Sequence, residues 1–366
     1  MRYDYLIVGA GFAGCVLAER LASQRDKKVL LIDKRNHIGG NAYDSVNEVG
    51  IRIHHYGPHL FHTNDEHIVK YLSHFTDWHP YEHRVMSNIN GVLVPMPINR
   101  NTVNQLFGYQ FKTDEEVREY FEHEKEVVPS IRNSEDVVVS KVGRKLYNLL
   151  YKGYTTKHWG IDPSQLAPSV CARLPVRTNA DDRYFDDRFQ MMPLQGYSAM
   201  FSKMTAHKNI TVSLRTEFKE ITSKTFDRLI FTGPIDEYFD FSFGRLPYRS
   251  LRFEFETHDK EFYQSVSQVN FPNNFEYTRI TEFKHITGQM NDKTTIAKEY
   301  SLSEGEPYYP IPNDANSMIY TKYAKEAEKL STVHFAGRLA TYRYYNMDQV
   351  IAQSLKTFKG IVKNHD

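Results

Sequence analysis

Arginines and tyrosines occur together in several short segments of this chain, and both side chains suit a phosphorylated ligand. The segments span residues 151–160, 173–177, 181–185, 277–279, 306–310 and 342–345. A planar guanidinium makes forked hydrogen bonds to phosphate oxygens, and a tyrosine offers a stacking face and a hydroxyl donor. Because the chain has 46 basic and 45 acidic residues, an anion site must be built from a few placed arginines. The segments predict a pocket for a diphosphate with an attached base, although any single arginine could instead form a surface ion pair.

A second pattern with chemical meaning lies near the start of the chain. An apolar segment of strand length leads into GAGFAG at residues 9–14, which opens a helical stretch, and a second apolar segment ends at Asp33. In such loops the glycines permit a tight turn, a close approach of backbone N–H groups to a pyrophosphate and close helix packing. The acid can accept hydrogen bonds from a ribose. The order strand, glycines, helix, strand and acid predicts a dinucleotide site.

The segment after Asp33 indicates which dinucleotide is bound. Residues 34–41 read KRNHIGGN, and a paired glycine at this place resembles the second part of the signature of FAD-binding proteins, a superfamily that includes flavin amine oxidases. Gly39 and Gly40 could also form an ordinary loop turn. Their position just beyond the ribose-binding acid favours FAD over NAD.

Histidines are concentrated between His54 and His83, where eight of the sixteen occur. Their spacing matches no zinc template, and no HExxH or CxxC motif accompanies them. We therefore predict no metal site, and structural, solvated or flavin-adjacent histidines instead. The Gly57-Pro58 pair before His59 predicts a kinked loop that brings backbone against a flat cofactor.

Several distant segments are needed to position these residues. The opening βαβ unit runs to about residue 64, apolar strands follow at 227–231 and 333–338, and a helix closes the chain at 347–362. Helical periodicity with breaks extends from 113 to 152, and residues 251–255 alternate with period two. We predict an α/β protein with three parts. They are a discontinuous FAD-binding Rossmann-like domain of residues 1–75, 195–240 and 331–366, a mostly helical insert at 98–165 that carries part of the mobile substrate region, and an antiparallel β-sheet domain of residues 76–97, 166–194 and 241–330.

Composition limits the remaining possibilities. A length of 366 residues with 40% hydrophobic residues suits two or three domains with large cores. Two cysteines, Cys15 and Cys171, cannot form a disulfide framework, which favours a cytoplasmic location. We expect no nucleic-acid partner, because no basic or acidic tail exists, and no membrane span, because no apolar run is long enough.

Eight segments together carry a resemblance to one family. They are GAGFAG, KRNHIGGNAY, YGPHLFHTND, KGYTTKHWG, RLPVR, YTRI, EPYYP and GRLATYRYYNMDQVI. In this order they resemble the bacterial UDP-galactopyranose mutases over essentially the whole chain. The resemblance implies an isomerase of the EC 5.4.99 type that interconverts UDP-galactopyranose and UDP-galactofuranose for cell-surface glycans. It also implies that N5 of reduced FAD attacks the anomeric carbon of the sugar, that UDP leaves and returns, and that no net redox change occurs.

The resemblance also implies roles for individual residues. Arg173, Arg279 and His59 are the expected catalytic residues, and Arg173 lies in a segment that resembles the family's mobile loop. The expected cofactor-binding residues are Gly9, Gly11, Ala13, Gly14, Asp33, Lys34, Gly40, Asn41, His59, Leu60, Arg338, Asn346, Met347, Asp348, Gln349 and Val350. The expected substrate-binding residues are His83, Tyr154, Thr155, Trp159, Arg173, Tyr184, Asn270, Arg279, Tyr309 and Tyr344.

Two positions depart from the family pattern, and several alternatives stay open. His83 stands where a small polar residue such as Asn is expected, and Asn346 where Asp is usual. A flavin amine oxidase-like oxidoreductase would share the first half of the chain, but it would want an apolar or aromatic substrate cage. A mutase that also or mainly acts on UDP-N-acetylgalactosamine is a further alternative, with His59 and Arg173 as the residues that could decide it. The family also implies a homodimer.

Overall fold

The computed structural model describes residues 2–222 and 225–363 of the chain. The strands are β1 (Tyr3–Val8), β2 (Val29–Asp33), β3 (Asp44–Val46), β4 (Arg52–His54), β5 (Phe61–Thr63), β6 (Trp78–Pro80), β7 (Val85–Ile89), β8 (Val92–Met96), β9 (Phe189–Pro193), β10 (Ile210–Leu214), β11 (Phe226–Phe231), β12 (Tyr248–His258), β13 (Gln268–Asn270), β14 (Arg279–Glu282), β15 (Thr294–Leu302), β16 (Tyr309–Pro310) and β17 (Val333–Phe335). The helices are α1 (Phe12–Arg25), α2 (Glu66–Leu72), α3 (Arg100–Phe107), α4 (Asp114–Glu124), α5 (Ser134–Leu146), α6 (Gly153–Trp159), α7 (Ser169–Ala172), α8 (Tyr197–Met204), α9 (Ile235–Tyr238), α10 (Phe283–Thr287), α11 (Asp314–Ala327), α12 (Gly337–Ala340) and α13 (Met347–Lys363).

A five-stranded parallel sheet holds the dinucleotide motif. Its order is β10-β2-β1-β11-β17, so its strands come from three distant parts of the chain. The central strands are apolar on both faces because helices α1 and α13 cover one face and a cluster around Leu6, Leu229 and Phe231 covers the other. The predicted α/β class with a discontinuous Rossmann-like domain is confirmed.

A seven-stranded sheet forms the second layer, in the order β16-β12-β15-β14-β13-β7-β8. The period-two segment at 251–255 lies in β12, which pairs along its length with β15, as the alternation predicts. One pairing differs from the predicted antiparallel arrangement, since β13 runs parallel to β7. No tight turn joins these two strands, and only a hairpin turn would force an antiparallel pair.

Helices α3 to α7 form a helical layer. This layer covers one side of the seven-stranded sheet and shares a core with hairpin β7–β8. Val94 and Met96 pack in the same buried cluster as Val138, Val142 and Leu146. Thr113 caps α4 through a reciprocal pair of hydrogen bonds with Glu116, at the start of the predicted helical region.

Two local features interrupt the helical periodicity that the sequence predicts with breaks. Gly143 adopts φ 80° inside α5, where a Cβ would lie 2.0 Å from the carbonyl oxygen of Glu124. Residues 147–152 then form a π-helical turn that leads directly into α6.

Other boundaries also differ from the sequence-based expectation. The predicted strand at 333–338 ends at Phe335, and Arg338 lies on the short helix α12. In residues 166–194 only β9 is a strand, and it pairs with β5 and β6 in a separate sheet. Cys171 and Leu174 of this segment pack on the helical layer instead. No helix of the described residues is long and apolar enough to cross a membrane.

Candidate active site

A cavity of about 860 Å³ lies between the helical layer, the loop at 56–60 and the seven-stranded sheet. All ten residues predicted to bind substrate line it. The predicted cofactor or catalytic residues that also line it are Asn41, His59, Leu60, Arg338, Asn346, Met347 and Gln349. The structure thus brings together side chains that are as much as 300 residues apart in the sequence.

Aromatic side chains form one wall of the cavity, which we call the aromatic wall: Tyr154, His158, Trp159, Tyr309 and Tyr344. Trp159 and Tyr309 each lie edge-on to Tyr344, with ring centroids 5.3 Å apart in both pairs. Tyr154 is parallel to His158 at 6.0 Å. Three of these residues come from α6, where Tyr154 and His158 are four residues apart and share a helix face, and Trp159 is the last residue of the helix.

Arg279 is held at the cavity by a buried carboxylate. Its Nε and Nη2 donate to Oε2 of Glu299 at 2.8 and 2.6 Å. Glu299 is 1% exposed, and its Oε1 accepts a hydrogen bond from Thr278 at 3.2 Å. Burial alone would lower the pKa of Arg279, but the Glu299 carboxylate raises it above its ordinary value. The guanidinium therefore stays charged and keeps one orientation.

Arg173 is exposed and lies directly after the short helix α7. Its guanidinium stacks over the ring of Tyr344, 4.3 Å from the centroid, and Nη2 donates to Oδ1 of Asn346. Burial raises the pKa of Tyr184, while the charges of Arg173 and Arg279 both lower it. Both arginines line the cavity together with Tyr184.

Arg338 also lies beside the aromatic wall. Its Nη2 donates to the carbonyl oxygen of Tyr345 at 2.6 Å, and the guanidinium lies 5.6 Å from the ring centroid of Tyr309. Burial lowers the pKa of Arg338 from its ordinary value. A buried cation bonded to a backbone carbonyl can still donate to an anionic or carbonyl-bearing ligand.

Three of the histidines that line the cavity are neutral. Burial lowers the pKa of His59, His83 and His158 to about 3, with nearby arginines adding to the effect. The Nδ1 atom of His59 contacts the carbonyl oxygen of Gly57 at 2.9 Å, which requires its proton on that nitrogen. His83 Nδ1 lies 3.1 Å from both Tyr81 and Ser267, so the opposite edge of its ring faces the cavity.

The glycine motifs form a cradle that fits a pyrophosphate. Gly11 caps α1 without a side chain, no acid occupies the first turn, and the helix N-terminus therefore stays open to an anion. Gly39 N donates to Ala10 O at 2.7 Å, and a Cβ on Gly40 would lie 2.9 Å from Gly11 Cα. The two halves of the predicted FAD signature are therefore in contact, so that Gly40 is part of the cradle and not a remote loop turn.

The ribose-binding acid is oriented by backbone amides. Asp33 accepts from Ala10 N at 2.8 Å and from Arg35 N at 2.9 Å, one on each oxygen, which leaves each oxygen a second lone pair for a ligand hydroxyl. The neighbouring Lys34 pairs with Glu306 at 3.5 Å. Arg35 donates to Asn41 at 3.0 Å, which connects this region to the cavity that Asn41 lines.

Some predicted cofactor residues use their side chains elsewhere. Val350 is 8% exposed and belongs to the core beneath α13. Asp348 accepts a hydrogen bond from Thr63 at 3.0 Å. Ala13 and Gly14 serve close packing, since a Cβ on Gly14 would lie 1.9 Å from the carbonyl oxygen of Gly9. At Ala13, Gly14 and Val350 only backbone groups remain available to a cofactor.

Sequence reasoning missed three residues that shape the site. His158 lies inside the segment KGYTTKHWG, but nothing in its spacing distinguishes it from its neighbours. Its Nδ1 is buried, without a hydrogen-bond partner in the described residues, and lies 3.9 Å from Glu299. Glu299 and Gln268 lie in strands β15 and β13, where a buried polar residue leaves no sequence signal. Across residues 2–222 and 225–363 no cluster of three or more His, Cys, Asp or Glu side chains could hold a metal ion.

Known proteins are similar to this chain both in the segment that holds the glycine cradle and in the segments that line the cavity. Residues 7–75 match the model of an NAD(P)-binding Rossmann-like domain, and residues 149–344 match the model of the UDP-galactopyranose mutase family. A probable UDP-galactopyranose mutase of Klebsiella pneumoniae is 39% identical over 97% of this chain and 93% of the relative. A dTDP-fucopyranose mutase of Escherichia coli is 36% identical over 98% of both chains.

A solved structure is similar as well. The crystal structure of a reduced UDP-galactopyranose mutase superposes with a TM-score of 0.82 over 99% of this chain and 96% of the other, at 15% identity. At that identity the likeness concerns the fold. Because the family model covers more than half of the chain and relatives match it nearly end to end, the chain belongs to the UDP-galactopyranose mutase family of isomerases.

Proposed function

We propose that this protein interconverts UDP-galactopyranose and UDP-galactofuranose, with reduced FAD as its cofactor, and so supplies furanose for cell-surface glycans. The observation that carries the proposal is the convergence of Arg173 and Arg279 on one cavity with an aromatic wall. Two guanidinium groups suit the two phosphates of a nucleoside diphosphate, and the rings offer faces for a base and a sugar. The cavity reaches the glycine cradle through Asn41, so that nucleotide and cofactor can meet.

The residues present fit FAD. Gly9 and Gly40 permit the close backbone packing of the cradle, Gly11 leaves the N-terminus of α1 open to the pyrophosphate, and Asp33 has free lone pairs for the ribose. The residues expected near the flavin are His59, Leu60, Asn41, Arg338, Met347 and Gln349, all on the cavity lining. Bound FAD in its reduced form would supply a nucleophile, N5, for the anomeric carbon of the sugar.

The chain itself orients the substrate and stabilises the leaving diphosphate. In our proposal Arg279 and Arg173 hold the phosphates as the bond to the sugar breaks, assisted by the hydroxyls of Tyr184, Tyr309 and Tyr344. Burial raises the pKa of Tyr184 and Tyr309, so both hydroxyls remain donors. The arginines thus supply positive charge, and the tyrosine hydroxyls supply directed hydrogen bonds to the phosphate oxygens.

The carboxylates near the cavity are occupied by partners, which supports a nucleophile from the cofactor. Asp187 contacts Nδ1 of His62 at 2.7 Å, and Asp186 pairs with Arg177. Glu299 pairs with Arg279. A carboxylate held in this way is a poor nucleophile for a sugar carbon.

Two alternative functions make different demands on the cavity. A flavin amine oxidase-like enzyme would want an apolar cage, and the paired arginines count against it. Other nucleotide-sugar substrates fit the same reasoning, because a relative is named a dTDP-fucopyranose mutase. UDP-N-acetylgalactosamine would extend the sugar by one acetamido group, near His59 and Arg173 in our proposal.

The decisive experiment combines a spectrum with a conversion assay. We expect purified protein to be yellow and to be bleached by dithionite. The reduced protein should convert UDP-galactofuranose to UDP-galactopyranose, which chromatography detects. Parallel reactions with UDP-N-acetylgalactosamine and dTDP-fucose would rank the substrates. Colourless wild-type protein, or oxygen consumption with an amine instead of sugar conversion, would refute the proposal.

We also propose that the protein works in the cytoplasm as a homodimer. Cys15 and Cys171 are both buried and free, which suits a reducing compartment. Light scattering coupled to gel filtration would test the dimer, and a monomer at micromolar concentration would contradict it. Cell fractionation would test the location.

A further inference from the structure

The ammonium group of Lys157 lies among the backbone carbonyls of a single loop. Its Nζ is 3.3 Å from Asn274 O, 3.1 Å from Phe275 O and 3.2 Å from Tyr277 O, and it also contacts Phe271 O. Four acceptors exceed the three protons that an ammonium can donate, so the loop surrounds the charge. Burial lowers the pKa of Lys157 to about 8, which leaves the group mostly charged near neutral pH.

The loop that Lys157 contacts is the tip of the hairpin formed by β13 and β14. Asn270 and Arg279 face each other in register at its base, and both line the cavity. Neighbouring strands β7 and β15 pair with this hairpin on its two sides. The sheet therefore holds the hairpin in place. An element that packs on the tip of the hairpin is in turn positioned by its contacts with that tip.

Helix α6 is the element that packs on this tip. It carries Tyr154, Thr155 and Trp159 of the cavity, and it begins after a π-helical turn instead of a regular continuation of α5. A Cβ on Gly153 would lie 2.5 Å from the carbonyl oxygen of Pro272, so the backbones are in close contact at the start of α6. Lys157 makes the polar contact one turn further along, closer to Trp159.

We propose that Lys157 is a positioning residue that sets the span between the Tyr154 ring on α6 and the Arg279 guanidinium on the hairpin. The inference rests on the proposed function, in which these two groups bind the base and the diphosphate of one nucleoside diphosphate. A ligand that touches both groups is sensitive to their separation, whereas a ligand that touches mainly one is not. Lys157 itself need not contact the ligand.

The test compares the affinities of UDP and UMP, measured by calorimetry on the holoenzyme. UMP shares the base, and UDP adds the second phosphate that must reach the arginines. For Lys157→Met we expect UDP to bind at least about tenfold more weakly while UMP changes little, so that the UDP/UMP affinity ratio falls. Lys157→Arg should recover part of the ratio, because a planar guanidinium donates to fewer of the four carbonyls. Lys152→Met is the matched control, since Lys152 is an exposed lysine five residues before Lys157 in the chain. This variant should leave the UDP/UMP affinity ratio unchanged.

A measurement on the wild-type protein gives a second arm. Between about pH 7 and about pH 9.5 the ammonium loses its proton, so the UDP/UMP ratio should fall for wild type and stay level for Lys157→Arg. The titratable or charged groups on the elements that contact Lys157 are Tyr154 and His158 on α6, Glu276, Tyr277 and Arg279 on the hairpin, Glu299, which pairs with Arg279, and Arg249, which donates to the backbone carbonyl oxygen of Lys157. Burial raises the pKa of both tyrosines and lowers that of His158 to about 3, so these three do not titrate in this interval. Deprotonation of uracil affects both ligands alike and cancels in the ratio.

Each outcome tests either the proposed function or the positioning role of Lys157. A wild-type protein that binds no UDP contradicts the proposed function. Wild-type binding with an unchanged UDP/UMP ratio in Lys157→Met, or equal losses for UDP and UMP, overturns the positioning role alone. If Lys157→Met does not fold, the pH dependence of wild type against Lys157→Arg decides, and a level wild-type ratio overturns the inference.

Discussion

Replacement of Arg173 by alanine tests the proposed diphosphate site most directly. The side chain is exposed, and it contacts the ring of Tyr344, 4.3 Å from the centroid, and the side-chain amide of Asn346. Loss of an exposed cation–π contact costs about 0.5–1 kcal/mol of folding stability, so the free energy of unfolding should hardly change. Loss of a preorganised charge at a leaving group costs about 2.7–4 kcal/mol in the transition state, which is about 10²–10³-fold in kcat.

The assay follows conversion of UDP-galactofuranose by reduced enzyme, together with flavin content and a urea unfolding curve. Flavin content and the unfolding midpoint should stay near the wild-type values while kcat falls. Arg173→Lys should recover only part of the rate, because a point charge lacks the forked geometry. The matched control is Arg188→Ala, which removes a guanidinium that stacks on Phe189 at 4.7 Å and does not line the cavity. Wild-type turnover in Arg173→Ala would show that the residue is an ordinary surface arginine and that our assignment is wrong.

Four further predictions follow from the cradle, the buried ion pair and the cofactor. Gly11→Leu should give folded protein without absorbance near 450 nm, because the side chain would occupy the place of the pyrophosphate; a yellow variant would contradict the cradle. Glu299→Gln should lower the free energy of unfolding by about 3–5 kcal/mol and weaken UDP binding, since Arg279 would be left as a buried charge without its counterion; an unchanged urea midpoint would refute this. Asn346→Asp should slow turnover, because a carboxylate would bind the Arg173 guanidinium more tightly than the amide does and would compete with the diphosphate for it, and added salt should relieve the effect only partly; a faster enzyme would count against this competition. Turnover should require dithionite-reduced flavin yet consume no reductant, and stoichiometric loss of NADPH during sugar conversion would indicate an ordinary oxidoreductase.

Local motifs predicted the parts of the site that depend on backbone geometry. Gly11 and Asp33 were predictable because a close approach to a pyrophosphate permits few residue types, and the structure places both in the cradle. The fold class followed from the same strand–helix–strand order. The roles of individual site residues remain predictions, even where the residues meet in one cavity.

Partners of the site residues were not predictable in this way. Glu299 follows Arg279 by 20 residues and meets it only because β14 and β15 pair in register. In the sequence, a buried glutamate in a strand looks the same as a solvent-facing one until its neighbours are known. Strand β13 beside β7 is a similar case, since no local signal connects segments about 180 residues apart.

The discontinuous parallel sheet has a consequence for how the chain folds. Strands β1 and β2 with α1 are contiguous and can associate as soon as they are synthesised, but β11 and β17 join them only after residues 226 and 333 have emerged. Contacts of such long sequence separation slow folding and leave strand edges unpaired for a time. The edge of β1 that later accepts β11 would then be exposed while most of the chain is being made. We expect refolding to be slow and prone to aggregation, and chains truncated before β17 to be captured by chaperones although they contain the whole cradle.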